Sequence, residues 1–205
     1  MTSSLKDHVQ KLLEEHRGER VFRFKYFRET LLVKATRAIK RIWLLIKTIS
    51  KTTFLKEECE ILQHLNNIGA PVPKLCGFGD DYLVLEDAGP TLNIWLNDET
   101  LSWAEKSHIL HSAIEILINL HQQGIIHGRP AIRDIAWKDG KISFMDFESH
   151  SKSHNEHWLI TRDMLAFLDS LCRVKGLDDE KLNELFDYYK SHCPTTYWVD
   201  MLSYV

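Results

Sequence analysis

The stretch from Leu120 to Ser149, LHQQGIIHGRPAIRDIAWKDGKISFMDFES, limits this chain more than any other. Its first residues finish an apolar helical pattern, and Gly124 can stop that helix by taking a left-handed backbone. A polar loop follows, from His127 to Asp134. Two short runs rich in β-branched and aromatic residues come next, Ile135-Ala136-Trp137 and Ile142 to Met145. Lys138-Asp139-Gly140-Lys141 separates them, and Asp-Gly between such runs is the strongest short hairpin signal. Asp134 precedes the first strand, and the second strand delivers Asp146-Phe147-Glu148 at its end.

The rest of the chain reads as two regions that meet near residue 87. In the first, Leu5 to His16 has helical apolar spacing at Leu5, Val9, Leu12 and Leu13. Val21 to Lys34 alternates as a hairpin that turns at Arg28-Glu29. Thr36 to Ser50 carries an apolar stripe (Ile39, Ile42, Trp43, Ile46, Ile49) with basic residues off it, and Phe54 to Leu65 reads as a second helix. Pro71-Val72-Pro73 breaks the pattern ahead of strands near Leu75 to Phe78 and Tyr82 to Leu85. In the second region Thr91 to Leu96 is a short helix, and Ser102-Trp103-Ala104-Glu105 is a capping box opening a long one. Helices are expected over Trp158 to Val174 and Asp178 to His192, the latter ended by Pro194.

Charge is uneven. Between Arg17 and Lys56 there are twelve Lys and Arg and only Glu19 and Glu29, a net +10 that leaves −13 for the remainder of a chain of net charge −3. Such a basic segment suits an anionic partner, whether nucleotide phosphates, a lipid surface or nucleic acid, or is a solvated face. The basic amphipathic pattern of 36–50 suits an anionic membrane surface or packing on its own sheet. Four widely spaced cysteines form no CxxC pair, which argues for a reducing compartment and against disulfides and zinc. The apolar run Ile42 to Ile46 is far too short to span a bilayer, and Met1 to Gly18 is polar, so the expected place is the cytoplasm, with the inner membrane face as a peripheral site. His150, His154 and His157 have helical spacing, but no Cys or clustered carboxylate joins them, and a solvated loop is the reading preferred to a metal site.

The helix, loop, hairpin and strand-end acid resemble the phosphotransfer centre of protein kinases, in which H-R-D-L-x-x-x-N precedes D-F-G. His127 falls at the His, Asp134 at the Asn, and Asp146-Phe147 at the Asp-Phe, with Glu148 where Gly is usual. Together with the Gly69-Ala70-Pro71-Val72-Pro73 and Tyr82-Leu83-Val84-Leu85-Glu86-Asp87-Ala88-Gly89-Pro90 segments, the chain resembles the bacterial lipopolysaccharide kinases (Kdo and heptose kinases), an atypical branch related to RIO kinases. That resemblance implies an α+β, two-lobed protein-kinase-like fold. Residues 1–87 would form an N-lobe with a small antiparallel sheet, and 88–205 a mainly helical C-lobe. It implies ATP and Mg²⁺ as cofactors, with Asp134 and Asp146 as metal ligands and His127 bracing the loop. Lys34 would bond the α- and β-phosphates, oriented by Glu58, with Glu57 the runner-up. Glu86 and Ala88 would meet adenine through their backbones, and Asp163 would hold the loop from the helix beyond it. The implied partners are a nucleotide and a small-molecule, glycolipid or protein acceptor, with an anionic membrane surface for the basic segment and no nucleic acid.

Two departures stand out. No glycine lies between Gly18 and Gly69, so the glycine-rich loop of kinases is missing. Arg129 occupies the place of the catalytic Asp, and an arginine, always protonated, cannot be a general base. Arg129 is therefore read either as a catalytic cation that binds an anionic acceptor or the transferring phosphoryl group, or as the mark of a pseudokinase scaffold.

Overall fold

The computed structural model describes residues 3–35, 45–147 and 155–203, with side chains omitted for residue 3 and for 45–54. The chain divides into two compact units, Met1–Asp87 and Ala88–Val205. Together their elements make the mixed α+β, kinase-like architecture, with a small antiparallel sheet in the first unit and a helical second unit.

The first unit contains helix α1 (Ser3–Glu15), strands β1 (Val21–Tyr26) and β2 (Glu29–Ala35), helix α2 (Leu45–Asn67), and strands β3 (Leu75–Phe78) and β4 (Tyr82–Glu86). The strands form one antiparallel sheet in the order β1-β2-β4-β3. Alternation decides which side chain faces which helix. Phe22 pairs with Val33, Phe24 with Leu31, and Val33 with Val84. These residues share a buried cluster with Leu5 and Val9 of α1. The opposite face presents Leu83 and Leu85 to Leu55, Cys59 and Leu62 of α2. Lys34 pairs in register with Leu83, so it stands on the α2 face of the sheet.

Two expectations for this unit are corrected. The hairpin turns at Phe27-Arg28: Glu29 already lies in β2 opposite Tyr26, and Phe27 takes φ 54° and is 89% exposed. The helices expected over 36–50 and 54–65 are one helix from Leu45 onward, because no Gly or Pro interrupts Leu45 to Asn67. Residues 36–44, which hold much of the basic stripe, lie outside the described residues. No helix among the described residues is long and apolar enough to cross a membrane.

The second unit contains α3 (Leu92–Leu96), α4 (Trp103–Gln122), β5 (Ile135–Lys138), β6 (Lys141–Phe144), α5 (Glu156–Cys172), α6 (Asp179–His192) and α7 (Thr195–Leu202). Ser102 caps α4 as expected: its hydroxyl accepts from the Glu105 N–H and its own N–H donates to Glu105 Oε2 at 2.8 Å. Leu110, Ile114 and Leu117 of α4, Ile135 and Phe144 of the hairpin, Phe167 of α5 and Tyr189 of α6 are almost wholly buried. Helix α6 packs on α4, and α7 on α5. The short α7 was not expected after Pro194. That proline, with φ −53°, is its N-cap, and a fixed φ suits a helix start as well as a helix stop.

Candidate active site

On the α2 face of the first sheet, Lys34 Nζ donates to Glu58 Oε1 at 2.6 Å. The side chains are 14% and 17% exposed, so the ammonium is held away from bulk water by a charged partner. Glu86 closes β4, its N–H given to the Lys74 carbonyl, and Asp87 donates its N–H to the Thr30 carbonyl while accepting from Arg23 Nε. Ala88 follows as the first residue of the second unit.

In the second unit the loop is built outward from the end of α4. Gly124, at φ 71°, donates to the His121 carbonyl, and Ile125 donates to the Leu120 carbonyl at 2.9 Å. This is a Schellman stop, which turns the chain toward His127. Asp163, on α5 and fully buried, then clamps the loop: Oδ2 accepts from the His127 N–H at 2.8 Å and Oδ1 from the Gly128 N–H at 2.9 Å. Buried His121 lies 3.4 Å from the same Oδ2. Gly128, at φ 106°, takes a backbone that a side chain would strain. His127 Nε2 is 2.8 Å from the Met145 carbonyl, an acceptor only, so that nitrogen carries the proton. Its Nδ1 accepts from the Arg129 N–H at 3.4 Å. Both ring nitrogens of His127 are thus engaged, and Phe147 stacks on the ring at 4.5 Å.

The hairpin brings the two aspartates together. Asp139 and Gly140, at φ 49° and 78°, form the turn that sequence demanded, and Ile135 pairs with Phe144. Beyond that pair the Met145 N–H donates to the Asp134 carbonyl at 2.8 Å, so Asp146 leaves the hairpin beside Asp134. Asp134 is 12% exposed. Burial, and next the charge of Asp146, push its carboxyl above the usual range, against the opposing pull of Arg133 and Arg129. Asp146 is exposed and sits at φ 60°, a left-handed backbone that Asp tolerates better than most residues and that clusters at functional sites. Two crowded carboxylates, one of them desolvated, form a donor set that a hard dication would relieve. Mg²⁺ uses one or two carboxylates and takes its other ligands from water and phosphate. No group of three or more His, Cys, Asp or Glu gathers for a metal among the described residues, so an ion here would depend on phosphate oxygens.

The nearest guanidinium to this carboxylate that sequence reading overlooked is Arg133, whose Nε stands 3.6 Å from Asp134 Oδ2. Arg129 is exposed and adds to the positive field at Asp134. Ser170 was also overlooked: its hydroxyl accepts from the Ile132 N–H at 3.2 Å and ties the loop to α5. His157 pairs with Asp200 at 2.6 Å, a surface contact, while 148–154 lie outside the described residues.

In sequence comparison the RIO domain family model matches residues 24–180, from β1 into α6. The chain belongs to the RIO domain family. RIO domains are an atypical protein-kinase-like family, and the RIO-related part of the sequence expectation stands on this match. A protein of Haemophilus influenzae described only as uncharacterized is 38% identical over 205 residues, covering 100% of this chain and 84% of that one. The match places this RIO domain chain at the level of a kinase-like, ATP-binding fold and does not reach the lipopolysaccharide kinases.

Proposed function

We propose that this RIO domain chain is an ATP- and Mg²⁺-dependent phosphotransferase, of the lipopolysaccharide-kinase-like type, that phosphorylates an alcohol hydroxyl of a sugar, glycolipid or protein. The observation that carries the reading is the pair Asp134 and Asp146, set side by side by a hairpin and a loop clamped on Asp163. Asp134 and Asp146 would hold the magnesium, which would neutralise charge on the phosphates. Lys34, kept charged and oriented by Glu58, is assigned to the α- and β-phosphates, and the Glu86 and Ala88 backbones to adenine.

Arg129 sets the chemical character of the reaction. Proton abstraction by a general base contributes about 10²- to 10⁴-fold, whereas phosphoryl transfer has a loose transition state governed by positioning and charge. A site without a base keeps the larger share of its catalysis. The acceptor hydroxyl oxygen forms the new bond to the γ-phosphorus, ADP departs with the electrons of the broken bond, and the hydroxyl proton passes to solvent. Arg129 then acts by charge alone. The competing reading, a catalytically silent scaffold, is favoured by Arg129 itself and by Phe27-Arg28 in place of a glycine-rich turn.

The test is ADP release by the purified full chain with Mg²⁺, ATP and a panel of neutral and phosphorylated sugars. Acceptor-dependent release that Asp146→Asn removes supports the phosphotransferase. Nucleotide binding with no transfer to any acceptor would favour the scaffold.

A further inference from the structure

We infer that Arg23 is a positioning residue for the nucleotide base: through the Asp87 carboxylate it fixes the Glu86–Ala88 backbone that reads adenine. The inference rests on the phosphotransferase reading and adds base specificity to it.

The register of the first sheet shows what the pair does. Arg23 of β1 lies opposite Leu32 of β2, and Leu32 opposite Leu85 of β4, so the three share the face that α2 packs on. Strand β1 is an edge strand whose neighbour is β2 alone, about 10 Å from β4 at two strand spacings. The Arg23 side chain crosses β2 and brings Nε to 3.0 Å from Asp87 Oδ1, just past the end of β4. It thereby ties two strands that share no backbone hydrogen bond. The bond from the Asp87 N–H to the Thr30 carbonyl is 3.2 Å, at the long end of the range, so the backbone alone holds this position loosely. The Glu86 N–H donates to the Lys74 carbonyl at 2.9 Å.

A purely stabilising role accounts poorly for the pair. The Arg23 side chain is 57% exposed, and ion pairs that open to water add little to stability. What the pair fixes is the residue ahead of Ala88. Ala88 is half-buried, and among the described residues neither its N–H nor its carbonyl takes a partner. Backbone groups away from water are normally paired, and an open donor beside an open acceptor fits the amino group and ring nitrogen of adenine. The chain is tied again directly afterwards. Gly89 takes φ 87°, where a Cβ would meet Lys138 Cβ at 2.8 Å, and the Pro90 carbonyl accepts from the Trp137 N–H at 3.0 Å. Ala88 is thus an open step between two fastened ones, and on the Asp87 side the fastening is a side chain that mutation can remove.

Titration calorimetry on the full chain with Mg·ATP and Mg·UTP tests the role. The two nucleotides share ribose and triphosphate, and uracil presents a carbonyl where adenine presents its amino group. The wild type should prefer ATP by about tenfold or more. Arg23→Gln should cut that preference about fivefold or more, through weaker ATP binding with UTP binding unchanged. Arg23→Lys, which keeps a cation, should recover part of it. The unfolding midpoint of both variants should stay close to that of the wild type. An unchanged preference in Arg23→Gln, whether or not the midpoint falls, overturns the positioning role, as does a loss shared equally by ATP and UTP. Either result leaves the nucleotide site standing. A wild type that binds both nucleotides alike overturns base reading by the Glu86–Ala88 backbone and the inference with it. A wild type that binds neither overturns the phosphotransferase reading as well.

Discussion

Lys34 Nζ donates to Glu58 Oε1 at 2.6 Å, and fewer than one fifth of either side chain meets solvent. A strand lysine packed among the α2-facing residues of the sheet would be costly to bury alone, and the helix supplies its counter-charge. This pair makes the role of Lys34 testable apart from the second unit.

Replacing Lys34 by Met keeps the stem's packing and removes the donors. Glu58 is then left with an unpaired, part-buried charge, at a cost of about 1–3 kcal/mol in stability. If Lys34 serves the phosphates, turnover falls by about 10²-fold or more while circular dichroism stays native. Turnover that survives the substitution would contradict the assignment. Glu58→Gln, which retains a hydrogen bond, should cost less in both measurements.

Asp163 is the anchor of the loop, and its two oxygens satisfy two buried backbone donors. Asp163→Ala orphans both. The expected loss is about 2–5 kcal/mol, seen as a fall in the urea midpoint of unfolding. A loss under about 1 kcal/mol would show that the loop does not depend on this carboxylate.

Asp146→Asn separates stability from function. It keeps a residue suited to the left-handed backbone at φ 60° and removes the like charge that crowds Asp134. The variant without nucleotide is expected to melt at or above the wild-type temperature, with a gain of about 0.5–1 kcal/mol, while Mg²⁺-dependent nucleotide binding is lost. Differential scanning calorimetry with and without Mg·ATP reads both effects.

Gly124→Ala tests the helix stop that aims the loop. A Cβ there would meet only Glu156 Oε1, at 3.6 Å, so crowding is not the obstacle. The φ of 71° is, and the strain is about 1–2 kcal/mol. The unfolding midpoint should fall accordingly. Gly124→Asn, which tolerates this backbone better, should recover part of the loss.

What was legible in the sequence follows from local rules. Asp139-Gly140 dictates the hairpin turn, and the hairpin in turn dictates that Asp134 and Asp146 meet. Ser102 and Glu105 mark the start of α4 because both partners of the capping box lie within one turn. The join of the two α2 segments was harder to read, since Ser50, Lys51, Thr52 and Thr53 look like a break yet none of them forbids a helix. α7 was hidden by Pro194, which serves equally to end one helix and begin the next. The tie of Ser170 to the loop was not legible, because Ile132 and Ser170 are far apart in the chain and meet once the loop docks on α5.

The central claim is that Asp134 and Asp146 act together as a magnesium and nucleotide site. Isothermal titration of ATP into the full chain, with Mg²⁺ and then with EDTA, tests it most directly when repeated on Asp134→Asn and Asp146→Asn. The account predicts binding that needs Mg²⁺ in the wild type and that either substitution weakens about tenfold or more. ATP binding of equal strength with and without Mg²⁺, or unchanged in both variants, would contradict it.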